Sequence, residues 1–234
     1  MKTTIVTIAM SMSLIISFAQ GKKYQEKMGK TLMEMSTSKS VQDYQKVANT
    51  FQLISEKEKT EWLPNYYNSF SYIIMSFIET DAEKKDEYLD LAEISIEKSI
   101  KLAPKEAENF ALKSFYYTAR LVVNPIKRGG KYSMLSNMEN QRALKLDPTN
   151  VRAKYLEISG NLGKAKFFGE NTDKYCIEAN DLLKLWDDFK LKSPIHPKWG
   201  KRELQKIAGS CKNEKKEVKE EKVIEGEPGR FSMP

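Results

Sequence analysis

Leu102-Ala103-Pro104-Lys105-Glu106-Ala107 and Leu146-Asp147-Pro148-Thr149-Asn150-Val151 are one event written twice, 44 residues apart. In each, a proline follows a leucine by two places, and a small residue, Ser99 or Ala143, lies five before the proline. Proline lacks an N–H and pushes the residue before it out of the helical region, so each motif closes a helix. Working outward, apolar residues recur at three and four. Val41, Tyr44, Val47, Ala48, Phe51 and Ile54 follow Ser40, a good capping residue. Tyr66, Tyr67, Phe70, Ile73, Ile74, Phe77 and Ile78 follow Pro64, which suits a first helical turn. Leu89, Ala92, Ile96 and Ile100 lead into the first motif, and Phe110, Ser114, Phe115, Tyr117 and Leu121 leave it. Further helices are predicted from Val151, over Asp173 to Phe189, and over Lys201 to Cys211. No period-two alternation between hairpin turns occurs, so the fold class is all-α.

The paired motifs resemble the tetratricopeptide (TPR) repeat, whose second helix ends in a small residue followed by Leu-x-Pro. On that register Phe110, Ser114 and Tyr117 open one unit, which Ala143 and Pro148 close, while Phe70, Ser71 and Ile74 open the previous unit. The resemblance implies an antiparallel helix-pair solenoid of about three to four pairs, with Lys201–Cys211 as a C-terminal capping helix. A 44-residue spacing exceeds the usual repeat of about 34. The surplus is expected as loops at Glu79–Glu87 and Asn124–Tyr132. Lys113 departs from the pattern by standing where the repeat prefers leucine. The resemblance also implies a concave groove receiving Asn65, Asn68 and Tyr72 from one unit, Glu108, Ala111 and Phe115 from the next, and Arg152 and Tyr155 from the third.

The flanks read differently. Lys2 precedes an uncharged apolar run from Ile5 to Phe18, and Ser17-Phe18-Ala19 puts small residues at −3 and −1 of a cleavable bond. That reads as a secretory signal peptide over residues 1–19, the alternative being an uncleaved N-terminal anchor; cleavage near Ala19-Gln20 is expected to leave a mature chain without a membrane span, either periplasmic or secreted. Residues 20–211 form the helical domain. Residues 212–234, where Lys and Glu alternate, read as a disordered charged tail. Export makes a disulfide between Cys176 and Cys211 available, the alternative being two buried thiols that pack. Closing that 35-residue interval would stabilise the fold by roughly 3–4 kcal/mol.

The 234 residues contain one histidine and two cysteines, which excludes a Cys₄ or Cys₂His₂ metal site; no metal and no cofactor is expected. The net charge of +7 is uneven, with residues 125–202 holding 16 Lys and Arg against 9 Asp and Glu. Such a bias attracts anions, but no nucleic-acid motif accompanies it, and nucleic acid is not the expected partner. Arg128-Gly129-Gly130-Lys131 and Gly160-x-x-Gly163-Lys164 fit no phosphate loop and read as turns. His196, between Pro194 and Pro197, has no placeable nucleophile and reads as structural. Phe167-Phe168-Gly169 reads as an interhelical loop, either a contact point or, more in keeping with an apolar pair, a hydrophobic plug tucked beneath the cap.

With no acid/base pair or nucleophile constellation, the chain reads as a non-enzymatic, exported protein or peptide interaction module of the cell envelope. Its groove would be Asn65, Asn68, Tyr72, Phe115, Arg152 and Tyr155, suited to an extended peptide or helix. The alternative is a small-ligand or glycan binder of the envelope that uses aromatic residues and His196 near the cap.

Overall fold

The computed structural model describes residues 21–210, so the signal peptide, the charged tail and Cys211 lie outside the described residues. Every element among the described residues is helical. The first helix, α1, covers 21–37. It is followed by α2 (Val41–Lys57), α3 (Leu63–Ile78), α4 (Ala82–Leu102), α5 (Ala107–Val123), α6 (Pro125–Leu146), α7 (Val151–Phe168) and α8 (Asp173–Asp188). The last, α9, covers 201–210.

Both proline motifs end a helix in the same way. After α4 the Ala103 amide donates to Ser99 O at 3.0 Å and Glu106 N to Ala103 O at 3.1 Å. After α6, Asp147 N donates to Ala143 O at 2.9 Å and Asn150 N to Asp147 O at 3.1 Å. Ser99 and Ala143 are fully buried, because a larger side chain there would hold the next helix away. The first link gains a further clamp: Asn109 Nδ2 donates to Ser99 O and Ala103 O, and Ser99 Oγ to Asn109 Oδ1 at 2.7 Å.

The surplus of each 44-residue interval goes into helix length and not into loops, a correction to the expectation above. Only 79–81 separate α3 from α4, and only Asn124 separates α5 from α6. Accordingly α4 runs 21 residues and α6 runs 22, with Gly129 and Gly130 inside α6. Two glycines cost a helix roughly 1 kcal/mol each. The start of α6 offsets this with Pro125 in the first turn, Asn124 Oδ1 accepting from Lys127 N at 3.1 Å, and a bidentate Arg128–Asp86 pair at 2.7 and 2.6 Å. Lys113, the misfit in the repeat pattern, is mostly buried between Glu97 (2.8 Å) and Glu139 (3.3 Å), so it ties α5 to α4 and α6.

The chain divides into two compact units, where the sequence suggests one domain over 20–211. The first runs to Asn150 and takes in Leu191–Pro197. Its centre is α3, which packs against α2, α4 and α5 and is buried on nearly every side. That explains a helix so rich in aromatic and small residues, with hardly a polar face. Ser40 and Asp43 form a capping box at α2, and Asp81 caps α4 by accepting from Lys84 N at 2.9 Å. The Leu191–Pro197 segment is fixed to α3 by Tyr67 Oη, which donates to Ile195 O at 2.9 Å, and by His196, whose ring meets Trp62 edge-on at 5.6 Å.

The second unit contains α7, α8 and α9. Tyr155, Leu162, Tyr175, Ala179, Leu182, Trp186, Leu204 and Ala208 supply its buried surface. Gly200 is required here: its φ is +100°, and a Cβ would stand 3.0 Å from Trp186 Cη2 and 3.2 Å from the Tyr155 ring. Gly160 and Gly163 lie within α7 and form no turn. Phe167 and Phe168 form the last turn of α7, with Gly169 (φ +68°) closing it through Glu170 N to Ala165 O at 2.8 Å and Gly169 N to Lys166 O at 3.3 Å. That closure leaves both rings 63–64% exposed, so they are no plug.

Candidate functional site

On α3, Asn65, Asn68 and Tyr72 fall at i, i+3 and i+7 and so share one face. That face opens into a cleft between α2 and α4 of about 130 Å³, lined also by Gln52 and Ser55 from α2 and by Leu91, Ile94, Ser95 and Lys98 from α4. Asn68 is spent on structure. Its Nδ2 donates to Ala48 O at 2.7 Å and its Oδ1 accepts from Ser95 Oγ at 2.5 Å, so one buried amide fastens three helices. Asn65, 8% exposed, makes no side-chain hydrogen bond among the described residues. Tyr72 Oη accepts from Gln45 Nε2 at 3.5 Å.

The rim differs in chemistry from the floor. Leu91 and Ile94 are 42% and 54% exposed, and Lys98 is exposed with no ion pair among the described residues. At the α2 edge, Gln52 Nε2 donates to Glu56 Oε1 at 3.1 Å. The cleft thus has a polar floor with one uncommitted amide, an aliphatic rim and one cation.

The other residues expected in a groove are placed elsewhere. Phe115 joins an aromatic cluster, stacked on Phe77 at 5.4 Å and tilted against Phe70 at 6.3 Å. Glu108 is buried and accepts from Asn150 Nδ2 at 2.6 Å, and Ala111 is fully buried. Arg152 and Tyr155 belong to the second unit. Arg152 is fully buried with its guanidinium 5.2 Å from the Phe189 ring centroid. Tyr155 is 8% exposed against the edge of Trp199, and burial pushes its phenol up to about 12. His196 is buried against Trp62 in the first unit. Cys176 is buried, its Sγ 3.8 Å from Ser210 Oγ.

Electrostatics concentrate where α4, α5 and α6 meet. Asp86 receives Arg128 in bidentate fashion and Arg120 at 2.8 Å, and Arg120 also pairs with Asp90 and donates to Tyr116 Oη at 2.9 Å. The Arg128 contact, aided by Arg120, holds the Asp86 carboxyl below its ordinary value. Every charge in this network is matched inside the protein, which makes it a brace between helices. Among the described residues no group of His, Cys, Asp and Glu is placed to hold a metal, and no helix is long and apolar enough to cross a membrane.

No known family model matches the chain, and no curated protein matches it. Among solved structures the chain is similar to the HusA haemophore from Porphyromonas gingivalis, at 27% identity and a TM-score of 0.72 over 83% of this chain and 96% of that one.

Proposed function

We propose that this chain is an exported, non-enzymatic binding protein whose ligand is haem. The likeness to the HusA haemophore carries the reading: it spans nearly all of that protein at a TM-score of 0.72. It favours the small-ligand alternative of the sequence reading over the peptide module. Two properties of this chain agree with it. Haem is a flat apolar plate with two carboxylate arms, and a net charge of +7 favours the approach of such an anion. The exposed leucine and isoleucine beside Lys98 offer the matching pair of surfaces, apolar and cationic.

The signal peptide over residues 1–19 and the pairing of Cys176 with Cys211 belong to the same proposal, since an exported protein meets oxidising surroundings. The TPR-like solenoid is its architectural part, supported by the two equivalent helix endings and by the successive packing of α2 on α3, α3 on α4, α4 on α5 and α5 on α6.

The test is a titration of the mature chain with haem, followed by the Soret absorbance. A saturable spectral change, absent with the unfolded chain, is expected. A spectrum that remains that of free haem at every protein concentration overturns the reading. Crosslinking in cells that captured one dominant protein partner, lost when the cleft is altered, would then restore the peptide module.

A further inference from the structure

We infer that the α2–α3–α4 cleft receives a carboxylate arm of the ligand, held by Asn65 and Lys98, while the ligand's apolar body lies across Leu91 and Ile94. The inference rests on the haem reading and names the part of the ligand that this site takes.

Volume decides what can enter. Small-molecule sites that enclose their ligand measure roughly 300–1,000 Å³. This cleft offers about 130 Å³, the liquid volume of about four waters. A macrocycle is excluded, whereas a carboxylate on a short aliphatic arm fits.

Polarity decides which kind of arm. Asn68 and Ser95 have committed their side chains to each other and to backbone carbonyls, so neither is a ligand group. Asn65 is more than nine-tenths buried, lines the cleft and has no side-chain partner among the described residues. Its amide supplies N–H donors to whatever sits there. Lys98 adds a cation without a counter-charge among the described residues, on the same wall as Leu91 and Ile94 at i−7 and i−4. An N–H donor pair beside an ammonium is the arrangement that selects a carboxylate over a neutral polar group. The acidic side chain at the α2 edge, Glu56, is held by Gln52 and is not among the lining residues. Leu91 and Ile94 stand outside the buried stripe of α4, made of Leu89, Ala92, Ser95, Ile96 and Ser99, so their exposure is set by the fold.

The experiment compares haem with its dimethyl ester on the wild-type chain, Asn65→Leu and Lys98→Met, following the Soret band throughout. Asn65→Leu should weaken haem about tenfold, because a buried donor to a charged acceptor is lost. Lys98→Met should weaken it about threefold, as befits a solvent-screened cation. The ester should bind the wild-type chain more weakly than haem does, and should bind all three proteins alike, because its capped arm no longer uses either residue. If the wild-type chain binds haem and ester equally, or if the variants lose the ester as much as haem, the carboxylate subsite is wrong and the haem reading stands. If the wild-type chain binds neither, the haem reading itself fails. Asn65→Leu removes no internal hydrogen bond, so its thermal melt should match the wild type and separate lost binding from lost folding.

Discussion

Asn65, Asn68 and Tyr72 in the first unit and Arg152 and Tyr155 in the second are the residues that the repeat register assigns to one groove face. Both sets are largely buried, Asn65 and Tyr155 alike at 8% exposed, but what surrounds them differs. The first set faces a cleft whose other walls are α2 and α4, with Asn68 locked and Asn65 free. The second set is sealed, Tyr155 beneath Trp199 and against Gly200, and Arg152 over Phe189. A repeat register fixes which side of a helix a residue occupies. Whether that side is a site or a core depends on what packs over it.

The largest expected effect is therefore structural and lies in the second unit. Tyr155→Ala should cost about 3 kcal/mol in urea unfolding, the range for emptying an aromatic core position. Gly200→Ala should follow at about 2 kcal/mol, from a positive φ and a Cβ driven against Trp186. If either change left stability intact, the sealed half of the comparison would break.

Next comes the lock in the first unit. Asn68→Ala removes hydrogen bonds to Ala48 O and Ser95 Oγ and leaves both partners buried, which should cost about 2 kcal/mol. Neighbouring Asn65→Leu should cost close to nothing, and the contrast between these two asparagines is the sharper measurement.

The Asp86 brace should have a smaller effect on stability than the Asn68 lock, about 1 kcal/mol on Asp86→Asn at neutral pH. The folded-state pKa lies below the ordinary 3.8, so the carboxylate's contribution is present above that value and is lost as pH falls through the folded one. The gap between wild type and Asp86→Asn should close on acidification. A gap that widened would contradict the assigned sign.

The helix endings at Pro104 and Pro148 were legible because proline chemistry is local. So was the cap at Ser40, whose partner Asp43 lies three residues on. The two surplus segments were not legible, since Gly129-Gly130 carries a local turn signal that Arg128 overrides through Asp86, 42 residues away. For the proposed site, Asn65, Asn68 and Tyr72 come from α3, the helix expected after Pro64. The α2 and α4 walls were missed, because no repeat register assigns a helix to a cleft that it forms with a neighbour. One signal was present: Leu91 and Ile94 are apolar yet fall off the α4 core stripe. For Phe167 and Phe168 the plug reading fails because an aromatic pair suggests burial, whereas Gly169 ends α7 with both rings toward solvent.

The most direct measurement is the broadening of backbone amide resonances by the paramagnetic iron of added haem. Broadening centred on Gln52, Asn65 and Leu91 through Lys98 is the predicted result. Broadening centred on α7 and α8, or none at saturating haem, would contradict the account.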